Sequence, residues 1–244
     1  MDEVMRAAFF ELHRDLPREG PGAPEDVLWA AELAKLPPNA QIADVGCGPG
    51  GDIAALLSAA PKGQVTALDK VPHFVAAARA AWRDHGRVTV LRADMTAIAN
   101  PYDMIWCAGA VYFLGITAAL QTWRKSLVPG GVVAFSEPCW FVDQPSARAK
   151  ALWEAEDYLL SREDGIRRQV EEAGYEVLGA RRLADQAWEN YYGPLSERIA
   201  QLRPTADDAL TAVLQEATEE VACWRAHRDE FGYVLIVARP RRLR

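Results

Sequence analysis

Ile42-Ala43-Asp44-Val45-Gly46-Cys47-Gly48-Pro49-Gly50-Gly51-Asp52 decides the fold of this chain. An apolar run ends in alternating glycines, and a helical pattern (Ile53, Leu56, Leu57, Ala60) follows at once. The stretch therefore predicts a strand, a tight turn and a helix start. Residues without a Cβ let the backbone approach a ligand closely, and the N–H groups of a first helical turn face it. A turn of this kind at the carboxyl end of a strand is where open α/β sheets bind nucleotide-like cofactors.

Working outward, strands and helices alternate from residue 41, which predicts parallel βαβ units with right-handed crossovers. Strands are expected at 41–45, 64–68, 87–91, 103–107 and 132–137. Helices between them carry Phe74, Val75, Ala78 and Trp82, then Ile116, Leu120, Trp123 and Leu127. Beyond 137 the alternation loosens. Helices are expected at 146–160 and 162–173, a strand at 175–183 and a near-continuous apolar strand at 231–238. Between those last two strands, one helix is expected to begin at Gly193-Pro194, because proline suits a first helical position. Another is expected over 206–229, with Leu210, Val213, Leu214, Val221 and Trp224 on one stripe.

Before the glycine turn, residues 1–38 read as two helical pieces. Leu16-Pro17-Arg18-Glu19-Gly20-Pro21-Gly22-Ala23-Pro24 separates them, and its prolines and glycines exclude regular structure. Pro37-Pro38 stops the second piece. One α/β domain over 1–244 results: an N-terminal helical lid (1–38), a cofactor-binding half (41–137) and a substrate half (138–244) with a helical insertion at about 185–230.

The glycines alone leave two cofactors open. Gly46, Gly48 and Gly51 satisfy the dinucleotide pattern G-x-G-x-x-G, with Asp69 at a suitable distance to hold a ribose. Gly46, Gly48 and Gly50, with Asp44 two residues ahead, instead satisfy D-x-G-x-G-x-G.

Four landmarks make the chain resemble the class I S-adenosylmethionine-dependent methyltransferases. They are Asp44 to Gly50, Asp69 closing the second strand, Ala93-Asp94-Met95 after the third, and Leu127-Val-Pro-Gly-Gly131 before the fifth. Three further stretches, 16–22, 105–112 and 188–192, resemble a narrower "type 11" group of small-molecule methyltransferases. The resemblance implies a Rossmann-like, seven-stranded, mostly parallel sheet whose seventh strand is antiparallel, flanked by helices and topped by a helical cap.

It also implies roles. Asp69 would accept both ribose hydroxyls, a task for an acceptor-only carboxylate, with Lys70 beside it. Asp94 would take the adenine amino group, and the backbone N–H of Met95 a ring nitrogen. Asp44 would face the methionine amino group, with capping of the helix amides as its alternative role. Gly46, Cys47, Gly48 and Cys107 would line the cofactor. A hydride-transferring NAD(P)-dependent oxidoreductase fits less well, having no requirement for acids at Asp44 and Asp94. A non-catalytic S-adenosylmethionine-binding protein is the other alternative.

Methyl transfer is an in-line displacement in which orientation alone can contribute ~7–11 kcal/mol. A base is needed only when the nucleophile carries a proton. Tyr112 and Glu137, beyond the strand ends, are pocket candidates, with Glu137 open as a base or an ordinary strand-end carboxylate. Tyr191 and Tyr192 are candidates for an aromatic acceptor wall, whereas Trp224 reads as core. Arg18, in a lid formed by 1–24 and the insertion, would meet the methionine carboxylate. No metal-ligand spacing occurs among the four isolated histidines and four scattered cysteines.

A net charge of −7 disfavours nucleic acid, whose grip needs a basic face. The basic tail Arg239-Pro240-Arg241-Arg242-Leu243-Arg244 reads as a solvated terminus. No apolar run reaches the ~18 residues of a membrane span, and the N-terminus lacks the layout of a signal peptide. A cytoplasmic enzyme acting on a small-molecule methyl acceptor is expected, and a homodimer is compatible with the sequence.

Overall fold

The computed structural model describes residues 2–155 and 158–241. Five strands run parallel: β1 (Gln41–Val45), β2 (Gln64–Asp69), β3 (Val88–Arg92), β4 (Tyr102–Cys107) and β5 (Leu127–Trp140). A two-residue strand, β6 (Ser161–Arg162), adds parallel to the end of β5 at Cys139 and Trp140. The sheet finishes with β7 (Tyr175–Arg182) and β8 (Phe231–Pro240), in the order β3-β2-β1-β4-β5-β8-β7. β8 is antiparallel to both β5 and β7. The expected seven strands are all present, and β6 is an eighth. Too short for any periodicity to announce, it exists because the chain runs alongside the overlong β5.

Helices cover both faces: α1 (Glu3–Leu12), α2 (Pro24–Ala34), α3 (Ile53–Ala59), α4 (Pro72–Trp82), α5 (Ile116–Trp123), α6 (Ala147–Ala155), α7 (Glu163–Glu172), α8 (Asp185–Leu202) and α9 (Asp208–His227). Successive strand residues point to opposite faces. Thus Met104 and Trp106 enter one core with α2, α3, α8 and α9, while Ile105 and Cys107 enter the other with α5 and α7. Both faces are buried, so the central strands read as continuous apolar runs.

Three expectations need correction. Leu127, expected on one helix with Ile116, Leu120 and Trp123, lies beyond the end of α5 at Trp123 and begins β5 instead. No helix begins at Gly193-Pro194, because α8 runs straight through Pro194. A proline inside a helix costs about 3 kcal/mol. Here Trp188, Tyr191 and Tyr192 before it and Leu195 and Ile199 after it bury along one helix, and that shared burial outweighs the lost hydrogen bond. The helix expected at 146–160 ends at Ala155 among the described residues; residues 156 and 157 lie outside them, and Tyr158 follows in loop. Residues 242–244 of the basic tail also lie outside the described residues.

α1 and the loop after it pack on the α8–α9 cap. Arg198 of α8 pairs with Glu11 at 3.0 Å, and the Gly22 N–H donates to the Ala187 carbonyl at 3.0 Å. The same loop rests on the glycine turn after β1. Among the described residues, no helix is long and apolar enough to cross a membrane, and no group of His, Cys, Asp and Glu side chains could hold a metal ion.

Candidate functional site

The β1–α3 turn is built without side chains where the backbone must fold tightest. Gly46 has φ +72°, and a Cβ there would lie 2.8 Å from that of Ala110. Gly48 has φ +54°, and its Cβ would meet Cγ of Glu19 at 3.4 Å. Asp69, at the end of β2, holds the turn from the side. Its Oδ2 accepts from the Gly48 N–H (2.9 Å) and its Oδ1 from the Val71 N–H (2.8 Å). An ionised carboxylate has about four acceptor positions, so two remain for a ligand.

Asp44 occupies the last position of β1 on the face it shares with Ile42, and it is only 3% exposed. Its Oδ2 is buried without a hydrogen-bond partner, so it does not cap α3. Burial first, then the neighbouring Asp52 and Asp69 carboxylates, push its pKa well above the ordinary range, and Arg18 only partly opposes them. A carboxylate left in this state destabilises the fold. A cation delivered by a ligand would relieve it.

The linkage sign follows from the direction of that shift. A carboxyl whose folded pKa is raised binds more protons folded than unfolded, so its penalty grows as pH rises above the unfolded value near 3.8. Asp44→Asn should therefore raise the melting temperature of the ligand-free chain at neutral pH, with the gain fading as pH falls towards that value. Thermal melts across the range measure it, and a gain independent of pH would contradict the buried charge.

Asp52 was not singled out from the sequence, yet it ties the site together. It is 8% exposed and accepts from Nε1 of Trp106 (2.9 Å) and Nη2 of Arg18 (3.1 Å). Arg18 also donates to the carbonyls of Gly20 (2.5 Å) and Gly22 (2.7 Å), so it braces its own loop against the glycine turn. Glu19 beside it pairs with His13 of the α1 end at 2.6 Å, and its other oxygen is buried without a partner. Only the position of Asp52 directly after the glycines could have drawn attention to it.

Asp94 follows β3 in an exposed turn. Its Oδ1 accepts from both the N–H and the hydroxyl of Thr96 (2.9 and 2.7 Å), which holds its pKa below the ordinary value. Met95 follows it, and its carbonyl accepts from Nε1 of Trp123 at 2.8 Å. Lys70 stands over the Phe113 ring at 5.3 Å. Cys47 and Cys107 are buried, and burial pushes both thiols up. Asp44 on β1 and Glu137 on β5 belong to the two strands that flank β4, and both act on Cys107.

Beyond β4 and β5 lies a second, tyrosine-rich cluster. Glu137 is 3% exposed, its Oε1 accepts from the Tyr158 hydroxyl, and its Oε2 is buried without a partner. Burial pushes its pKa up to about 7, with the Tyr158 bond pulling the other way. Tyr112 packs edge-on to Tyr158 with centroids 5.7 Å apart, and Tyr233 abuts Gly109. Tyr158 carried no signal in the sequence. Tyr191 is buried beside Tyr192, and the Tyr192 hydroxyl donates to Glu220 at 2.8 Å inside the cap.

Comparison with known proteins is consistent with this layout. Residues 42–131 match the family model of the methyltransferase domain. The chain is 35% identical over 125 residues to a trans-aconitate 2-methyltransferase of Streptomyces avermitilis, covering 48% of this chain and 46% of that protein. It is 32% identical over 136 residues to a malonyl-[acyl-carrier protein] O-methyltransferase of Enterobacter lignolyticus, covering 53% and 49%. The chain thus spans about half the length of the curated relatives it matches. A S-adenosylmethionine-dependent methyltransferase of Geobacter sulfurreducens, solved with S-adenosyl-L-homocysteine, superposes over 96% of this chain and 98% of its own, with TM-score 0.80 at 20% identity.

Proposed function

We propose that the protein transfers a methyl group from S-adenosylmethionine to a small-molecule acceptor, a reading supported by the match of residues 42–131 to the methyltransferase-domain model and by the fold shared with the Geobacter sulfurreducens structure over 96% of this chain. The buried, unpartnered Oδ2 of Asp44 carries this reading. It supplies an uncompensated negative charge beside the glycine turn, where the ammonium of the cofactor's methionine part would be received. A dinucleotide brings no cation to that point except its nicotinamide ring.

The remaining residues fit the same group. Asp69, fixed by two backbone N–H groups, presents its free lone pairs to the ribose hydroxyls. Asp94, with Oδ1 committed to Thr96, offers Oδ2 to the adenine amino group. Cys47 and Cys107 close the sides as neutral, apolar walls. The Arg18–Glu19 loop and the cap to which it is bonded act as a lid that keeps water out. Arg18 is committed to Asp52 and two carbonyls, so a methionine carboxylate would be met by what remains of its fork. Bound S-adenosylmethionine supplies a methyl group on a positively charged sulfur; the chain's task is to align an acceptor behind it.

Four buried free thiols support a reducing, cytoplasmic location. A homodimer remains part of this proposal, to be checked by sedimentation. Titration calorimetry of the full chain tests the function. S-adenosylmethionine and S-adenosylhomocysteine should each give saturable heat at one site, and NADH should give none. Heat with NADH alone would overturn methyl transfer in favour of hydride transfer. Trans-aconitate, named for the Streptomyces relative, is one of the acceptors to be assayed.

A further inference from the structure

Glu137 is unlike the carboxylates of the cofactor turn. It sits two residues beyond the β4–β5 pairing, on the acceptor side of Cys107, and no cation is among the influences acting on it. Its surroundings are a phenol that donates to Oε1 (Tyr158), a second phenol across the β8 ladder (Tyr233) and two buried thiols (Cys107, Cys139). Two guanidinium groups, Arg162 and Arg182, act on Cys139, and neither is among the influences on Glu137. Arg182 is stacked over Phe141 at 4.0 Å, and Arg162 is paired with Asp143. Oε2 has no partner. A buried acceptor atom costs about 1–3 kcal/mol when left unsatisfied, so Oε2 calls for one donor that the described residues do not supply.

We propose that Glu137 is the general base of the reaction, positioned by Tyr158, and that the acceptor is an amine or a hydroxyl compound that brings its proton to Oε2. The inference rests on the methyl-transfer reading and names its acceptor class. The step balances. The acceptor's N–H or O–H proton passes to Oε2, the freed lone pair forms the new bond to the methyl carbon, and the S–CH3 bond breaks with its electron pair staying on sulfur. A carboxylate acceptor has no proton to give at neutral pH. Its charge would enter a buried space that already holds Glu137 and lacks a free cation among the described groups acting there. A base works best with a pKa near the working pH, and burial sets Glu137 at about 7.

The test has two arms on the full chain. First, with glutamate carboxyls labelled with carbon-13 and the protein saturated with S-adenosylhomocysteine, NMR titration should show a resonance, absent in Glu137→Gln, that titrates near 7. Titration in the ordinary glutamate range near 4.3, or no titration up to alkaline pH, overturns the proposal. Second, S-adenosylhomocysteine formation is measured with panels of amines, of phenols and alcohols, and of carboxylates including trans-aconitate.

Turnover is expected only in the first two panels, with kcat rising through the Glu137 pKa. Glu137→Gln should lower kcat by roughly 100-fold or more and leave cofactor affinity as it was. Tyr158→Phe removes a bond that favours the ionised form, so it should move the pH limb upward, which a merely structural role would not do. Turnover of a carboxylate, full activity in Glu137→Gln, or no turnover in the amine and hydroxyl panels overturns the proposal. If the wild type binds no S-adenosylmethionine, the methyl-transfer reading itself fails, a result separable from all of these.

Discussion

Asp69→Ala should weaken S-adenosylmethionine and S-adenosylhomocysteine binding by about 100-fold or more. The Asp69 carboxylate faces in two directions. Towards the protein it accepts from the N–H groups of Gly48 and Val71, and so fixes the glycine turn relative to the β2 tip. Towards the ligand it would accept both ribose hydroxyls. Hydrogen bonds to a charged group contribute about 1.5–3 kcal/mol each, and each 1.4 kcal/mol is a factor of ten in affinity. Two ribose bonds alone reach the stated loss, before any relaxation of the turn.

Asp69→Asn retains one acceptor oxygen and should recover part of the affinity. Titration calorimetry measures both variants, and a melt without ligand checks that the chain still folds. An alanine variant that binds the cofactor as tightly as the wild type would remove the ribose role of Asp69.

Trp224→Ala has the largest expected effect on stability. Trp224 is 1% exposed and stacks on Trp188, with centroids 5.0 Å apart and rings inclined by 14°. Tyr192 closes on it at 5.5 Å. These three rings join α9 to α8, and Trp188 passes the contact on to Tyr233 of the sheet at 5.2 Å. The Trp224 indole thus joins the two cap helices, and Trp188 links that pair to the sheet.

Emptying such a site costs about 3–5 kcal/mol. For a chain of this size each kcal/mol is worth about 2–4 °C, so the melting temperature should fall by roughly 6–20 °C. Trp224→Phe keeps part of the stack and should lose less. A separate low-temperature transition in the alanine variant would show that the cap unfolds apart from the sheet. A melt unchanged from the wild type would mean that the cap is not held through this stack.

Much of the fold was legible because its signals are local. Asp44, Gly46, Gly48, Asp69 and Asp94 stand at strand tips, and strand tips are marked by the end of an apolar run. The β1 turn and the positions of the parallel strands along the chain followed from such ends, whereas the antiparallel last strand was implied by the family resemblance and the order of strands in the sheet came only from the structure. Pro194 was misread because a local rule, proline at a helix start, met a stronger one: six residues of α8 bury against the core, and a helix interrupted there would expose them. Two-residue β6 left no periodic trace at all.

Taken alone, the chain's pattern of apolar runs and glycine breaks determined the α/β class and the place of the glycine turn after β1, since both depend on neighbours in sequence. Tertiary structure decided which side chains meet there. Arg18 reaches Asp52 across 34 positions and Tyr158 reaches Glu137 across 21. Contacts of that kind depend on where separate segments come to rest on a common core, and no spacing along the chain encodes the resting place.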